Sequence, residues 1–175
     1  MDFQQYHCTV IDLLRSLFRY QAWADAAILA AVQAHPKSLQ DERIFKTLHH
    51  VVTAQRVYLS RFLARPFEVS KDSPLPGSFD QLVRIFRATH EEELAWIESL
   101  AEGDLERGFE MAVLGTRPTL AEGLTQVALH GQNHRGQCLT RIRENGGKPP
   151  TLDYILWAKA QPIPSWPGSS PPPGL

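Results

Sequence analysis

The run Leu129-His130-Gly131-Gln132-Asn133-His134-Arg135-Gly136-Gln137 concentrates the chemistry of this chain. His130 and His134 stand four residues apart, which on a helix sets both imidazoles on one face, about one turn apart. Two imidazoles so placed can converge on one metal ion. A third ligand must come from another helix, and His49-His50 offers one. Both flank the apolar arc of their helix, so a helical wheel does not choose between them. Three imidazoles with the remaining positions left to water make a reactive centre, because structural zinc sites usually fill all four positions with protein ligands. Imidazole nitrogen suits zinc, nickel, iron and copper. The imidazoles alone do not choose among these; the expectation is zinc or nickel, with iron a further candidate. Such an ion lowers the pKa of a bound water or a bound thiol.

The other candidates read more plainly. Cys138 lies one turn beyond His134; as a fourth ligand it would close the site, but a small buried core residue is the preferred reading. Arg135 and Gln137 are placed to orient an anionic substrate or to hold a neighbouring helix, and Arg135 falls off the apolar centre of its wheel. His7, His35 and His90 read as solvated or capping histidines, His90 because Glu91, Glu92 and Glu93 follow it. Trp23 reads as packing, and Tyr58 and Trp157 as residues at the edge of a pocket. No phosphate-cradling glycine loop and no serine-nucleophile motif is present.

These side chains need helices to position them. Leu13, Leu14, Leu17, Phe18, Ala22, Ala24, Asp25, Ile28, Leu29 and Val32 belong to a helical pattern over about 8–34, and Ile44, Leu48, Val51, Val52, Leu59 and Phe62 to a second over about 41–64. Pro66, Pro74, Pro76 and Gly77 mark a long connection. A third helix over about 79–101 has Ser78 as its N-cap. Phe109, Met111 and Val113 alternate with polar or small residues ahead of Leu114-Gly115-Thr116, which predicts a short extended segment or hairpin. Pro118 suits the first turn of a fourth helix that carries the histidine pair and stops at Asn145-Gly146-Gly147. A short helix follows around Asp153–Trp157. Four long helices and one long connection predict an all-α fold, a four-helix bundle with a crossover. Residues 1–159 form one domain, and 160–175, with six prolines, form a tail that is either a docked strap or disordered.

The 175 residues are enough for a substantial core. Lys and Arg number 18 and Asp and Glu 19, scattered along the chain; the net charge of -1 points to neither nucleic acid nor an acidic membrane as partner. No apolar run is long enough to span a bilayer, and the N-terminus lacks the pattern of a secretory signal. Cys8 and Cys138 are too few for a disulfide framework, so a reducing cytoplasm is expected.

Three stretches carry a family resemblance: Tyr20-Gln21-Ala22-Trp23-Ala24-Asp25; Leu48-His49-His50-Val51-Val52-Thr53-Ala54 with Tyr58-Leu59-Ser60-Arg61-Phe62; and the run 129–137. Through them the chain resembles the DinB/YfiT-like superfamily of metal-dependent proteins over about 13–157. The resemblance implies one histidine from the second helix and two from the fourth around a divalent metal. Its register, with two apolar residues after the ligand and an aromatic-Leu pair eight positions on, selects His50; the others carry over to His130 and His134. Two positions depart from the pattern. Gln55 replaces a frequent acidic residue, which would change the support of the His50 ring, and Asn133 replaces a frequent histidine. Some relatives resemble low-molecular-weight-thiol transferases or thiol-dependent isomerases, which implies a small-molecule substrate, a thiol among the candidates, and a homodimer. The expected function is a metal-dependent enzyme of thiol transferase or hydrolase type. The alternative is a non-catalytic metal-stabilised bundle or dimeric interaction module.

Overall fold

The computed structural model describes residues 8–111 and 115–168. His7 and part of the expected hairpin, Val113 and Leu114, lie outside the described residues. Local chemistry sets the helix starts. Thr9 caps α1 (Val10–Gln33) in a reciprocal box with Asp12. His35, a capping histidine as expected, opens the short α2 (Pro36–Leu39) by accepting from the Ser38 N–H. Asp41 caps α3 (Glu42–Phe62), and Ser78 caps α5 (Phe79–Glu98) after the short α4 (Val69–Asp72). A 3₁₀ turn (Glu102–Glu106) leads to α6 (Leu120–Glu144), which opens on a Thr119–Glu122 capping box. Pro118 therefore precedes the cap and does not enter the first turn. Its carbonyl accepts the Phe109 N–H, tying it to the segment before α6. That segment holds two isolated antiparallel bridges, Gly108 with Thr119 and Met111 with Thr116, and no strand forms among the described residues.

Contacts between the long helices fix their directions. Arg15 and Arg19 near the start of α1 meet Glu98 at the end of α5, so these two run antiparallel. On α3 and α6, Asp41 pairs with Arg141 while Phe62 lies beside Gly123. That pair is antiparallel too. Gln55 meets His90 and Phe62 stacks on Trp96, so α3 and α5 are parallel. Two parallel neighbours need a connection that runs the length of the bundle, and residues 63–78 supply it. Thr53 Oγ1 and Ser73 Oγ, 2.7 Å apart, hold it against α3. The result is an up-down-down-up bundle with one crossover: α1 and α3 both pack on α5 and on α6.

The core divides in two. One apolar cluster gathers Ile28, Leu29, Leu48, Val52, Phe86 and Ile142 near the α1–α3 turn. The other gathers Phe18, Phe62, Ile97, Phe109, Leu120 and Leu124 at the opposite end. α7 (Tyr154–Ala160) packs on α1, with Trp157 buried against Tyr20 and Tyr154 rather than edging a pocket. The described part of the tail folds back over the bundle. The Trp157 indole donates to the Pro162 carbonyl, and Trp166 stacks on His90.

Gly123 is where α6 comes closest to two aromatic rings: a Cβ there would lie 2.6 Å from Cε1 of both Phe109 and Phe62. Gly123→Ala is expected to lose about 1–3 kcal/mol through overpacking, less the gain in helix propensity. Urea denaturation with an unchanged m-value checks it. A variant at least as stable as the parent would show that the rings move aside freely.

Candidate metal centre

α3 and α6 lie side by side, and their facing edges bring three histidines together. The ligand atoms of His50, His130 and His134 all fall within 4.8 Å of one another. The Nε2 atoms of His50 and His130 are 3.0 Å apart. Tetrahedral zinc with nitrogens at about 2.0–2.1 Å would hold them about 3.3 Å apart, so small ring movements suffice to close a shell. His134 Nδ1 is 3.0 Å from Gln137 Oε1. The amide oxygen accepts, so Nδ1 carries the proton and Nε2 keeps its lone pair free. Gln137 thus supports a ring of the centre and does not reach towards an anion.

Electrostatics favour neutral rings. Burial, then the neighbouring His134 and His50, push His130 down to about 4. Burial, then His134 and His49, lower His50. Neutral imidazoles are the form that binds a metal. His50 is solvent-exposed and the other two are half-buried, so the cluster opens to water.

The remaining candidates lie elsewhere. The His49 ring meets Thr53 Oγ1 at 3.3 Å and lies against the crossover backbone at Ser73 and Pro74. Cys138 is buried in the core, outside the cluster, where burial pushes its thiol up to about 12. Gln55 does not touch His50. Five residues along a helix turn it about 140° away, and its amide donates to Asp25 Oδ2 in the interior. Asn133 is exposed.

One reading from sequence is overturned: His90 is neither solvated nor a cap, being 1 % exposed. Arg135, also 1 % exposed, holds a neighbouring helix and does not orient an anionic substrate. Both residues meet Asp25, which is fully buried. Arg135 Nη1 lies 3.1 Å from Asp25 Oδ1, and His90 Nε2 lies 2.9 Å from Asp25 Oδ2. His90 Nδ1 is 3.3 Å from Glu93 Oε2, an ion-pair distance without hydrogen-bond alignment. Gly131 makes room for this layer: a Cβ there would meet Gln21 Oε1 at 2.9 Å and Arg135 Nη1 at 3.0 Å. Signals for it were present in the sequence. Asp25 interrupts the apolar stripe of α1, and Phe86, His90, Glu93 and Ile97 form a core-facing stripe on α5.

The family model of the DinB superfamily matches residues 19–138, and the chain belongs to that superfamily. Among solved structures, a DinB-like protein from Bacillus cereus ATCC 10987 is similar, with a TM-score of 0.53 and 20 % identity; the match covers 78 % of this chain and 89 % of that one. At that identity the likeness speaks for the fold. No curated protein matches the chain.

Burial lowers the pKa of His90, but the hydrogen bond to Asp25 and the nearby carboxylates of Asp25 and Glu93 outweigh it and raise it from 6.5 to about 9. The native state then holds a proton that the unfolded chain releases near 6.5. This stabilisation is complete below 6.5 and disappears as pH rises through about 9. Glu93, raised mainly by burial, acts with the same sign above its ordinary carboxylate range. Asp25, held below its ordinary value because Arg135 and His90 outweigh its burial, acts with the opposite sign in acid. The expected loss in unfolding free energy between pH 6.5 and 9 is at most about 3 kcal/mol. His90→Gln should flatten that slope. An equally steep profile in the variant would show that His90 does not carry it.

Proposed function

We propose that His50, His130 and His134 hold one divalent metal, zinc or nickel with iron a further candidate, in a metal-dependent enzyme that activates a thiol or a water. The observation that carries this reading is three ring nitrogens converging on a solvent-facing groove with no fourth protein ligand in the group among the described residues. Positions left open there are available to a substrate. A bound divalent ion would supply a lowered pKa for a coordinated thiol or water. The chain's own residues do the rest: Gln137 orients His134, and the Asp25–Arg135 contact holds α6 so that its histidines face α3. A small molecule, with low-molecular-weight thiols first among candidates, fits a site this open. The two free cysteines fit a reducing cytoplasm.

A second reading has its own support. A metal joining α3 to α6 would staple the bundle without catalysis. Exposed Leu129 on α6, with Ile155 and Leu156 on α7, offers apolar surface for a homodimer.

Elemental analysis of protein purified without a metal-affinity tag is expected to find about one divalent ion per chain. His134→Ala should lose most of it, and His50→Ala/His130→Ala all of it. Full metal content in these variants would contradict the ligand assignment. The loaded protein is then given a small thiol with an alkylating electrophile, and separately an activated ester. Metal-dependent turnover of either supports the enzyme; turnover of neither, with a melting temperature that rises on loading, favours the staple.

A further inference from the structure

At the end of the bundle where α3 stops, a cavity of about 420 Å³ opens beside the segment that leads into α6. Four arginines line it, Arg61, Arg65, Arg107 and Arg117, above the rings of Phe62 and Phe109. Two are engaged. Arg65 Nη1 lies 2.5 Å from Glu92, and Arg117 Nε lies 3.5 Å from Glu110. Arg61 and Arg107 form no ion pair among the described residues, so positive charge is in excess. The walls are set by packing. The Arg117 side chain lies across Gly108, where a Cβ would come within 3.2 Å of its Nε. α3 ends in a turn with Ala64 at φ +51, and the Arg65 N–H donates back to the Ser60 carbonyl at 2.8 Å. That left-handed residue folds Arg65 back beside Arg61, at a cost that only glycine would avoid.

The cavity is in register with the histidines. Arg61 follows His50 by eleven residues, which is three turns and about 20° on a helix, or about 16 Å along its axis. His50, Ala54, Tyr58 and Arg61 therefore share one stripe of α3. Tyr58 bridges the stripe to the cavity floor, packing on Phe62 and Phe109. Guanidinium groups with no ion pair among the described residues, over an apolar floor, are suited to recognise oxyanions by paired hydrogen bonds.

We infer that this cavity binds the carboxylate or phosphate end of an elongated substrate whose reactive end lies at the three-histidine centre. The inference rests on the metal reading above for that reactive end, but the anion cavity stands on its own residues. The test separates them. Metal-free protein is titrated calorimetrically with pyrophosphate and with citrate, which distinguish phosphate from carboxylate recognition. At least one should bind, and Arg61→Gln/Arg107→Gln should weaken it at least about tenfold. Arg84→Gln/Arg87→Gln removes equal charge from the exposed face of α5 and should leave binding unchanged. Binding of neither anion, or equal loss in both variants, overturns the cavity. Cobalt-loaded protein is then given a dodecane chain bearing a thiol at one end and either a carboxylate or a hydroxyl at the other. The thiolate-to-cobalt band should saturate at lower concentration for the carboxylate, and Arg61→Gln/Arg107→Gln should erase that advantage. Equal affinities would disconnect the cavity from the centre. No cobalt band with either compound, while the anions still bind calorimetrically, would contradict the metal reading and leave the anion cavity standing.

Discussion

The carboxylate of Asp25 lies in the middle of the bundle with no access to water, and the surrounding structure is arranged to neutralise it. Arg135 and His90 share its two oxygens, and Gln55 donates to one of them. Asp25 stands on α1, Gln55 on α3, His90 on α5 and Arg135 on α6, so one buried layer engages all four long helices. A buried ion pair adds little net stability compared with apolar packing, but an unpaired partner left behind costs about 3–5 kcal/mol. Such a layer therefore penalises wrong registers more than it rewards the right one. It also marks where the two apolar clusters part, since Val52 and Phe86 belong to one and Phe62 and Ile97 to the other.

The histidine centre inherits its geometry from this layer. Once Arg135 points inward to Asp25, the rotation of α6 is fixed. The preceding residue, His134, is turned by about 100°, and His130 falls one turn back on nearly the same face. Both then meet α3, where His50 waits. Gly131 is the small residue that lets Arg135 and Gln21 pack without forcing α6 away from α1. The division of labour is physical: the interior holds charges that pair with one another, and in the groove burial first, then the neighbouring rings, keep His130 and His50 neutral. The cluster opens to water because the groove lies at the surface, and the Cys138 thiol is committed to the core.

Much of this was legible in the chain. Caps, proline punctuation and apolar periodicity located the four long helices to within a few residues, and the proline-rich connection announced the crossover. The four-residue spacing of His130 and His134 predicted their shared face. The choice of His50 over His49 came from family resemblance, because the wheel placed both at the edge; the structure turns His49 towards the crossover. What stayed hidden was polar and internal. His90, Arg135 and Gln55 have side chains that usually seek water; the sequence sets His90 in solvent or at a cap, leaves Arg135 between an anion and a neighbouring helix, and sets Gln55 behind the His50 ring. Their burial depends on partners drawn from four helices, and no single helical wheel contains that information. The short helices α2 and α4 were unseen for a related reason: one turn is too brief for periodicity to register.

The central claim is that three imidazoles hold a metal whose remaining positions face solvent. X-ray absorption at the zinc edge of the loaded protein tests it most directly. The account predicts three imidazole nitrogens at about 2.0–2.1 Å, with light oxygen or nitrogen atoms completing the shell and no sulfur. A sulfur scatterer at about 2.3 Å, or fewer than three imidazoles, would contradict it.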